Sequence, residues 1–202
     1  MRPFTTLTAP AVPLPLAGVD TDQIIPARFM KRTRAEGYGD ALLHDLRRDG
    51  SGAVRTDLAL NDPTRAGARI LVARRNFGGG SSREAAVYAL ADAGFDCVVA
   101  PSFGDIFSAN AVNNFVLPAR VEEGIAERLL ALLEGGLREL TVDLEAREIA
   151  ADAERFPFAV REDWRTKLLR GWDDLDLTLN EAEAIRTFAA GRAERYPWSV
   201  PG

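Results

Sequence analysis

The run from Arg69 to Ala100 limits the fold of this chain most, because two short apolar segments bracket three consecutive glycines and an alanine-rich stretch. Arg69–Ala73 (RILVA) is compact, apolar and rich in branched side chains, the signature of a buried strand. Arg74, Arg75, Asn76, Phe77 and Gly78–Gly80 follow it as a tight loop. Ser81 stands three residues before Glu84, the spacing of a capping box, and Gly94 closes the alanine-rich stretch, so a helix is expected from about Ser82 to Ala93. Phe95–Ala100 (FDCVVA) reads as the next buried strand. Strand, glycine loop, helix and strand in that order describe a right-handed crossover between parallel strands, and the fold class is mixed α/β.

The rest of the chain supplies scaffold. Val121, Ile125, Leu129 and Leu133 recur every four residues among charged ones, an amphipathic helix that Gly135 and Gly136 end. Leu140–Leu144 and Glu148–Ala150 form a predicted hairpin, and Phe156–Val160 continues that sheet. A last helix is expected over Asn180–Arg192, with Asn180 as its cap and Glu183 in the third position after it. Thr33–Gly67, polar and punctuated by glycines, reads as loop with a short helix at Asp40–Arg48. The length of 202 residues suits a single domain over 1–202. In the first eighteen residues, Pro10, Pro13 and Pro15 interrupt the apolar character and only Arg2 is basic, a poor signal peptide. No stretch has the length of uncharged residues a membrane helix requires, so a soluble, cytoplasmic protein with no membrane contact is expected. A net charge of -5 argues against a nucleic-acid partner, which needs a basic surface to neutralise phosphates. The single cysteine, Cys97, falls in a predicted strand and reads as a small buried hydrophobe; alone it cannot build an iron–sulfur cluster or a structural zinc site.

The glycine loop is where chemistry is expected. Gly78–Gly80 let backbone amides approach a ligand, and the following helix aims unpaired N–H groups and a positive dipole end at the same point. Ser81 and Ser82 add hydroxyls, and Arg83 matches a carboxylate in geometry and charge. That describes an anion site, the favoured reading, with Ser81 as no more than a helix cap the alternative. The loop is neither a G-x-G-x-x-G nor a G-x-x-x-x-G-K-[ST] phosphate loop, since no lysine follows the glycines, which leaves nucleotide binding as a weak alternative. Asp20–Pro26 (DTDQIIP), with Arg28, Lys31, Arg32 and Arg34 beyond it, reads by itself as a solvated charged loop. Ser102 and Asp105 suit a second helix cap, the asparagines Asn110, Asn113 and Asn114 suit turns, and His44 is a surface or packing residue.

Taken together and in order, DTDQIIPARF, LLHDLRRD, LNDP, ILVARRNFGGGSSREAA, APSFGDIF, NN, LP, KLLRGWDDLDLTL and YPW resemble the small subunits of 3-isopropylmalate dehydratase over almost the full chain. That resemblance implies the aconitase superfamily and its swivel domain, a β/β/α fold. It also implies a large-subunit partner carrying a [4Fe-4S] cluster, no cofactor held by this chain, and a small dicarboxylic hydroxy-acid substrate. The implied reaction, in leucine biosynthesis, dehydrates 2-isopropylmalate to 2-isopropylmaleate and rehydrates it to 3-isopropylmalate. Residue by residue, Ser81 matches the serine that takes a proton alpha to a carboxylate, and Ser82 and Arg83 match carboxylate-binding residues. Asp22 matches an acidic active-site position, Lys31 or Arg34 a second basic contact, and Asn76 joins the substrate-binding set. Phe29–Tyr38 resembles the loop that reads the substrate's variable side chain. The family loop reads GCGSSREHA; here Gly79 replaces the cysteine, Ala85 the histidine, and Val87 stands where proline is common. These departures open two other expectations. One is a subunit of a related hydro-lyase for homoaconitate, citraconate or another small malate derivative; the other is a non-catalytic assembly partner of a large subunit.

Overall fold

A computed structural model describes residues 3–199. The chain opens with a strand, β1 (Thr6–Leu14), then a short helix α1 (Thr21–Ile24). A long excursion of 3-10 turns follows, broken by α2 (His44–Arg47). The crossover region comes next: β2 (Ile70–Ala73), α3 (Glu84–Asp92), β3 (Cys97–Ala100), α4 (Asp105–Asn113) and β4 (Leu117–Arg120). Helix α5 (Glu123–Glu134) leads to a meander of β5 (Glu139–Asp143), β6 (Glu148–Ala151) and β7 (Glu154–Pro157). Three helices follow: α6 (Glu162–Arg170), α7 (Asp174–Asn180) and α8 (Ala182–Arg195).

All seven strands form one sheet in the order β4-β3-β2-β1-β5-β6-β7. The β1–β4 half is parallel and the β5–β7 half antiparallel. The expected strand–loop–helix–strand unit and its parallel pairing are present, with Ile70 opposite Cys97 and Val72 opposite Val99. Successive side chains point to opposite faces, so Ile70 and Val72 join a core with Leu129 and Leu133 of α5. Leu71 and Ala73 join a second core with Ala86 and Leu90 of α3 and Phe107 of α4. The amphipathic helix α5 and its glycine end, the β5–β6 hairpin and the burial of Cys97 are all as expected.

The central strand β1 carries Pro10 and Pro13, residues that ordinarily disqualify a central strand, and sequence patterning does not mark it. Thr6–Pro10 pairs with β5 on one side, and Ala11–Leu14 pairs with β2 on the other. Ala11 N–H donates to Arg138 O on the β5 side, so Pro13, of the same parity, would point its missing N–H past the end of β5. Pro10, of opposite parity, faces the β2 side just before that pairing begins; its carbonyl accepts from Arg69 N–H at 3.0 Å. Each proline therefore occupies a position where no donor is needed.

The predicted last helix divides differently. Asp173 and Asp176 form a reciprocal capping box that starts α7, which runs through Asn180; Asn180 is therefore the last residue of one helix and not the cap of the next. The Ser102–Asp105 cap also does not form: Gly104 caps α4 without a side-chain bond.

Candidate active site

The glycine loop lies where β2 ends, at the carboxyl edge of the parallel strands, the usual position for a ligand site in such sheets. Its backbone is woven into two neighbouring segments. Gly78 N–H donates to Val19 O at 2.7 Å, Thr21 N–H to Gly79 O at 3.0 Å, and Thr21 Oγ1 to Ser81 O at 2.8 Å. From the other side Phe77 N–H donates to Ser102 O at 3.0 Å, Gly104 N–H to Phe77 O at 2.9 Å, and Asn76 N–H to Ser102 Oγ at 2.9 Å. Beneath the loop, Phe77, Phe103 and Phe107 pack as an aromatic pedestal with centroids 5.4 to 6.5 Å apart. Gly78 has φ +71°, and a Cβ there would stand 2.2 Å from the Phe107 ring, so only glycine fits both the backbone and the pedestal.

This weave corrects the expectation that Ser81 caps the helix. Helix α3 begins at Glu84, Arg83 is its N-cap, and no side chain caps it. Thr21 claims the carbonyls of Gly79 and Ser81, which keeps residues 79–82 off the helical path. The consequence is chemical. Ser81 and Ser82 are exposed, and neither hydroxyl has a protein partner among the described residues. The backbone N–H groups from Gly80 to Ala85 likewise meet no acceptor among the described residues. Six consecutive amides and two hydroxyls are thus left without protein partners, among the described residues, along one turn at the positive end of a nine-residue helix.

Arg83 is the charged group of this turn. Its side chain is 18% exposed and pairs through Nη1 with Asp22 Oδ1, whose own side chain is 54% exposed. Asp22 sits on α1, whose start is fixed by a capping box: Gln23 N–H donates to Asp20 Oδ1 at 2.8 Å, and Asp20 N–H to Gln23 Oε1 at 3.0 Å. The DTDQ segment is thereby a folded element that brings a carboxylate to the glycine loop, not a solvated loop. One arm of the guanidinium is held and the rest of its fork has no partner among the described residues, an arrangement suited to a ligand carboxylate. Asn76, in the left-handed region at φ +58°, is exposed beside the loop; a Cβ at Gly79 would come 3.0 Å from Asn76 Oδ1.

The two remaining predicted contacts are placed otherwise. Lys31 ends the 3-10 turn Ala27–Lys31, exposed and without an ion pair among the described residues. Arg34 is not brought to the serines. It pairs with Asp92 at the last turn of α3 and lies 4.3 Å from the centre of the Tyr88 ring; Asp92 is eight residues along the helix from Glu84, about 12 Å at 1.5 Å per residue. Burial pushes the Asp92 carboxyl up, but Arg34 and the Tyr38 N–H (2.8 Å) outweigh it and hold it below the ordinary carboxylate range. Arg34 therefore pins the Thr33–Ala41 segment to α3. In the same excursion Arg28 pairs with Asp45, Arg32 with Asp40, and His44 packs on Phe29 at 4.9 Å.

Thr21 and Asp92 are participants whose roles sequence spacing did not show, and Ser102, read from spacing as a helix cap, instead holds the glycine loop. The partners of these three lie 26 to 60 residues away, beyond the reach of any local motif. As for metals, no group of three or more His, Cys, Asp or Glu side chains among the described residues converges to hold an ion. Cys97 is fully buried in β3, where burial pushes its thiol well above the usual range, so it is not poised as a thiolate ligand. None of the described helices is long and apolar enough to cross a membrane.

A half-parallel, half-antiparallel sheet with a serine-bearing glycine loop at its strand ends defines an aconitase-type swivel domain, and the Aconitase C-terminal domain family model matches residues 1–124. The 3-isopropylmalate dehydratase small subunit of Rhodospirillum centenum is 46% identical over 202 residues, covering 99% of this chain and all of that one. The 3-isopropylmalate dehydratase small subunit of Bifidobacterium longum subsp. infantis is also 46% identical, covering 98% of this chain and 85% of that one. A crystal structure of 3-isopropylmalate dehydratase from Methanocaldococcus jannaschii shares the fold, with a TM-score of 0.63 at 22% identity over 91% of this chain and 99% of that one. The chain belongs to the 3-isopropylmalate dehydratase small-subunit family, whose members are hydro-lyase subunits.

Proposed function

We propose that this chain is the small subunit of an enzyme that interconverts 2-isopropylmalate and 3-isopropylmalate by dehydration and rehydration in leucine biosynthesis, with Ser81 as its proton-carrying group. The observation that carries the reading is the exposed Ser81–Ser82 pair on a turn of unpartnered amides, beside an arginine oriented by Asp22. An ordinary serine hydroxyl is far too weak a base to take a proton from carbon. Six amide dipoles, a helix N-terminus and a nearby guanidinium stabilise its alkoxide without moving at the moment of reaction.

In this reading Arg83 grips a substrate carboxylate with the free part of its fork, and Ser82 with its neighbouring amides holds the same anion. Asp22 touches Arg83 and so acts as a positioning residue for the grip. Ser81 Oγ removes the proton from the carbon alpha to a carboxylate, and the same oxygen returns a proton when water adds in the other sense. Lys31, the one basic side chain of the 27–34 segment without an ion pair, supplies a second carboxylate contact, and Asn76 offers an amide at the rim. Met30, exposed on the same segment, offers an apolar contact to the substrate's isopropyl group.

This half-site lacks a means of drawing off the hydroxyl. A [4Fe-4S] cluster on the large subunit supplies that Lewis acidity when bound. Leu175, Leu179, Ile185 and Phe188, exposed on α7 and α8, add an apolar surface of the kind subunit contacts use. The test is Ser81→Ala in the reconstituted two-subunit enzyme. Turnover of 2-isopropylmalate should be lost while association with the large subunit is unchanged, since the Ser81 hydroxyl caps no helix and has no partner among the described residues, and the bond from Thr21 is to the Ser81 backbone carbonyl. Undiminished turnover would remove Ser81 from the chemistry.

A further inference from the structure

A cavity lies at the opposite end of the parallel strands from the glycine loop. Its volume is about 450 Å³, and Ala68 and Phe95, just before β2 and β3, line it, so it opens at the amino edge of the sheet. That volume falls in the range of small-molecule sites. Its apolar wall comes from Val12, Leu42, Leu60 and Phe95. Arg47, Arg48 and Arg65 are among its lining residues, together with His44 and the acidic Asp40 and Asp62.

The charges do not cancel within the cavity. Asp40 is turned to Arg32, outside the lining, and Asp62 accepts from Thr64 and faces Arg138 at 3.6 Å, again outside it. Arg65 is buried and spends its guanidinium on the carbonyls of Ala11, Leu133 and Leu137. Arg48 donates to Gly52 O at 2.9 Å. Arg47 is different. Its Nε donates to Asn61 Oδ1 at 2.8 Å, which fixes the plane of the group, while its two terminal nitrogens have no partner among the described residues. It forms no ion pair with a carboxylate, and burial, followed by the charge of Arg48, pulls its affinity for the proton below the ordinary value. A half-buried guanidinium fixed at one nitrogen and open at two, against an apolar wall, lacks only an anion.

We propose that this cavity binds a small carboxylate with an apolar body, its carboxylate on the Arg47 fork and its chain against Val12, Leu60 and Phe95. The site is separate from the serine loop: the four-residue strands alone put about 13 Å between the two ends of the sheet. A ligand here does not compete for Arg83, and the proposal stands whatever reaction Ser81 serves.

The probe is hexanoate, titrated against the full chain by calorimetry. A dissociation constant near ~1 mM is expected, unchanged in Ser81→Ala, with hexylammonium and hexan-1-ol at least about tenfold weaker. Arg47→Met should weaken hexanoate at least about tenfold. Arg47→Lys, which keeps the cation and its stem, should bind between the two and keeps the test decisive if the methionine variant fails to fold. No hexanoate binding, equal binding of hexan-1-ol, or equal hexanoate binding by folded Arg47→Met would each overturn the proposal.

Discussion

Replacing Asp22 with asparagine separates a positioning carboxylate from a proton-transferring one. The amide keeps the shape of the side chain and can still accept a hydrogen bond from Arg83, so the change removes charge and little else. Arg83 is mostly buried, which favours a strong charge-assisted bond of about 1.5 to 3 kcal/mol. Asp22 is more than half exposed, and solvent screening brings the expected cost down to about 1 to 1.5 kcal/mol. If that loss falls on the binding of a substrate carboxylate, KM for 2-isopropylmalate rises about tenfold while kcat stays within about threefold. Steady-state kinetics of the reconstituted enzyme, with circular dichroism melting as a control for folding, read this directly. A kcat lower by about a thousandfold at unchanged KM would show that Asp22 handles protons, and the positioning argument would be wrong. Kinetics identical to the parent would show that Arg83 needs no partner.

Other consequences of the structure are open to measurement. Gly78→Ala places a methyl against Phe107 in a left-handed backbone, so denaturant unfolding should show a loss of about 3 kcal/mol or more; a loss under about 1 kcal/mol would show that the pedestal is not rigid. Asp92→Asn weakens the pin on the 33–41 segment, and trypsin should cut at Arg34 several-fold faster, with KM rising more than kcat falls; unchanged proteolysis would refute the pinning role. Because the folded Asp92 carboxyl titrates below its ordinary value of 3.8, its contribution is complete above that value and is lost as pH falls through the folded one. The trypsin resistance of the parent should therefore be insensitive to pH across the neutral range; resistance that fades between pH 7 and pH 5 would contradict this assignment.

The parts of this fold legible in sequence are those whose determinants are local. The apolar run at Ile70–Ala73, the glycines after it and the four-residue period of α5 each mark their element within a dozen residues. Strand β1 was hidden because Pro10 and Pro13 argue against a central strand until its two halves are known to pair on opposite sides. The candidate site divides along the same line. Ser81, Ser82 and Arg83 are conspicuous, but spacing alone makes Ser81 a cap, and only Thr21, sixty residues earlier, prevents it. Likewise Arg34 looks available in a basic stretch until Asp92, fifty-eight residues later, claims it. Against the family loop, Gly79 leaves room that Asn76 partly fills, and Ala85 stands where the family histidine would add a polar group beside the turn.

The most direct test of the central claim is the first appearance of 2-isopropylmaleate, whose conjugated double bond absorbs in the ultraviolet, when the assembled two-subunit enzyme meets 2-isopropylmalate. If Ser81 Oγ takes the proton, the Ser81→Ala complex binds substrate and shows no absorbance rise over the parent's turnover time. An absorbance rise at the parent rate would place the base elsewhere.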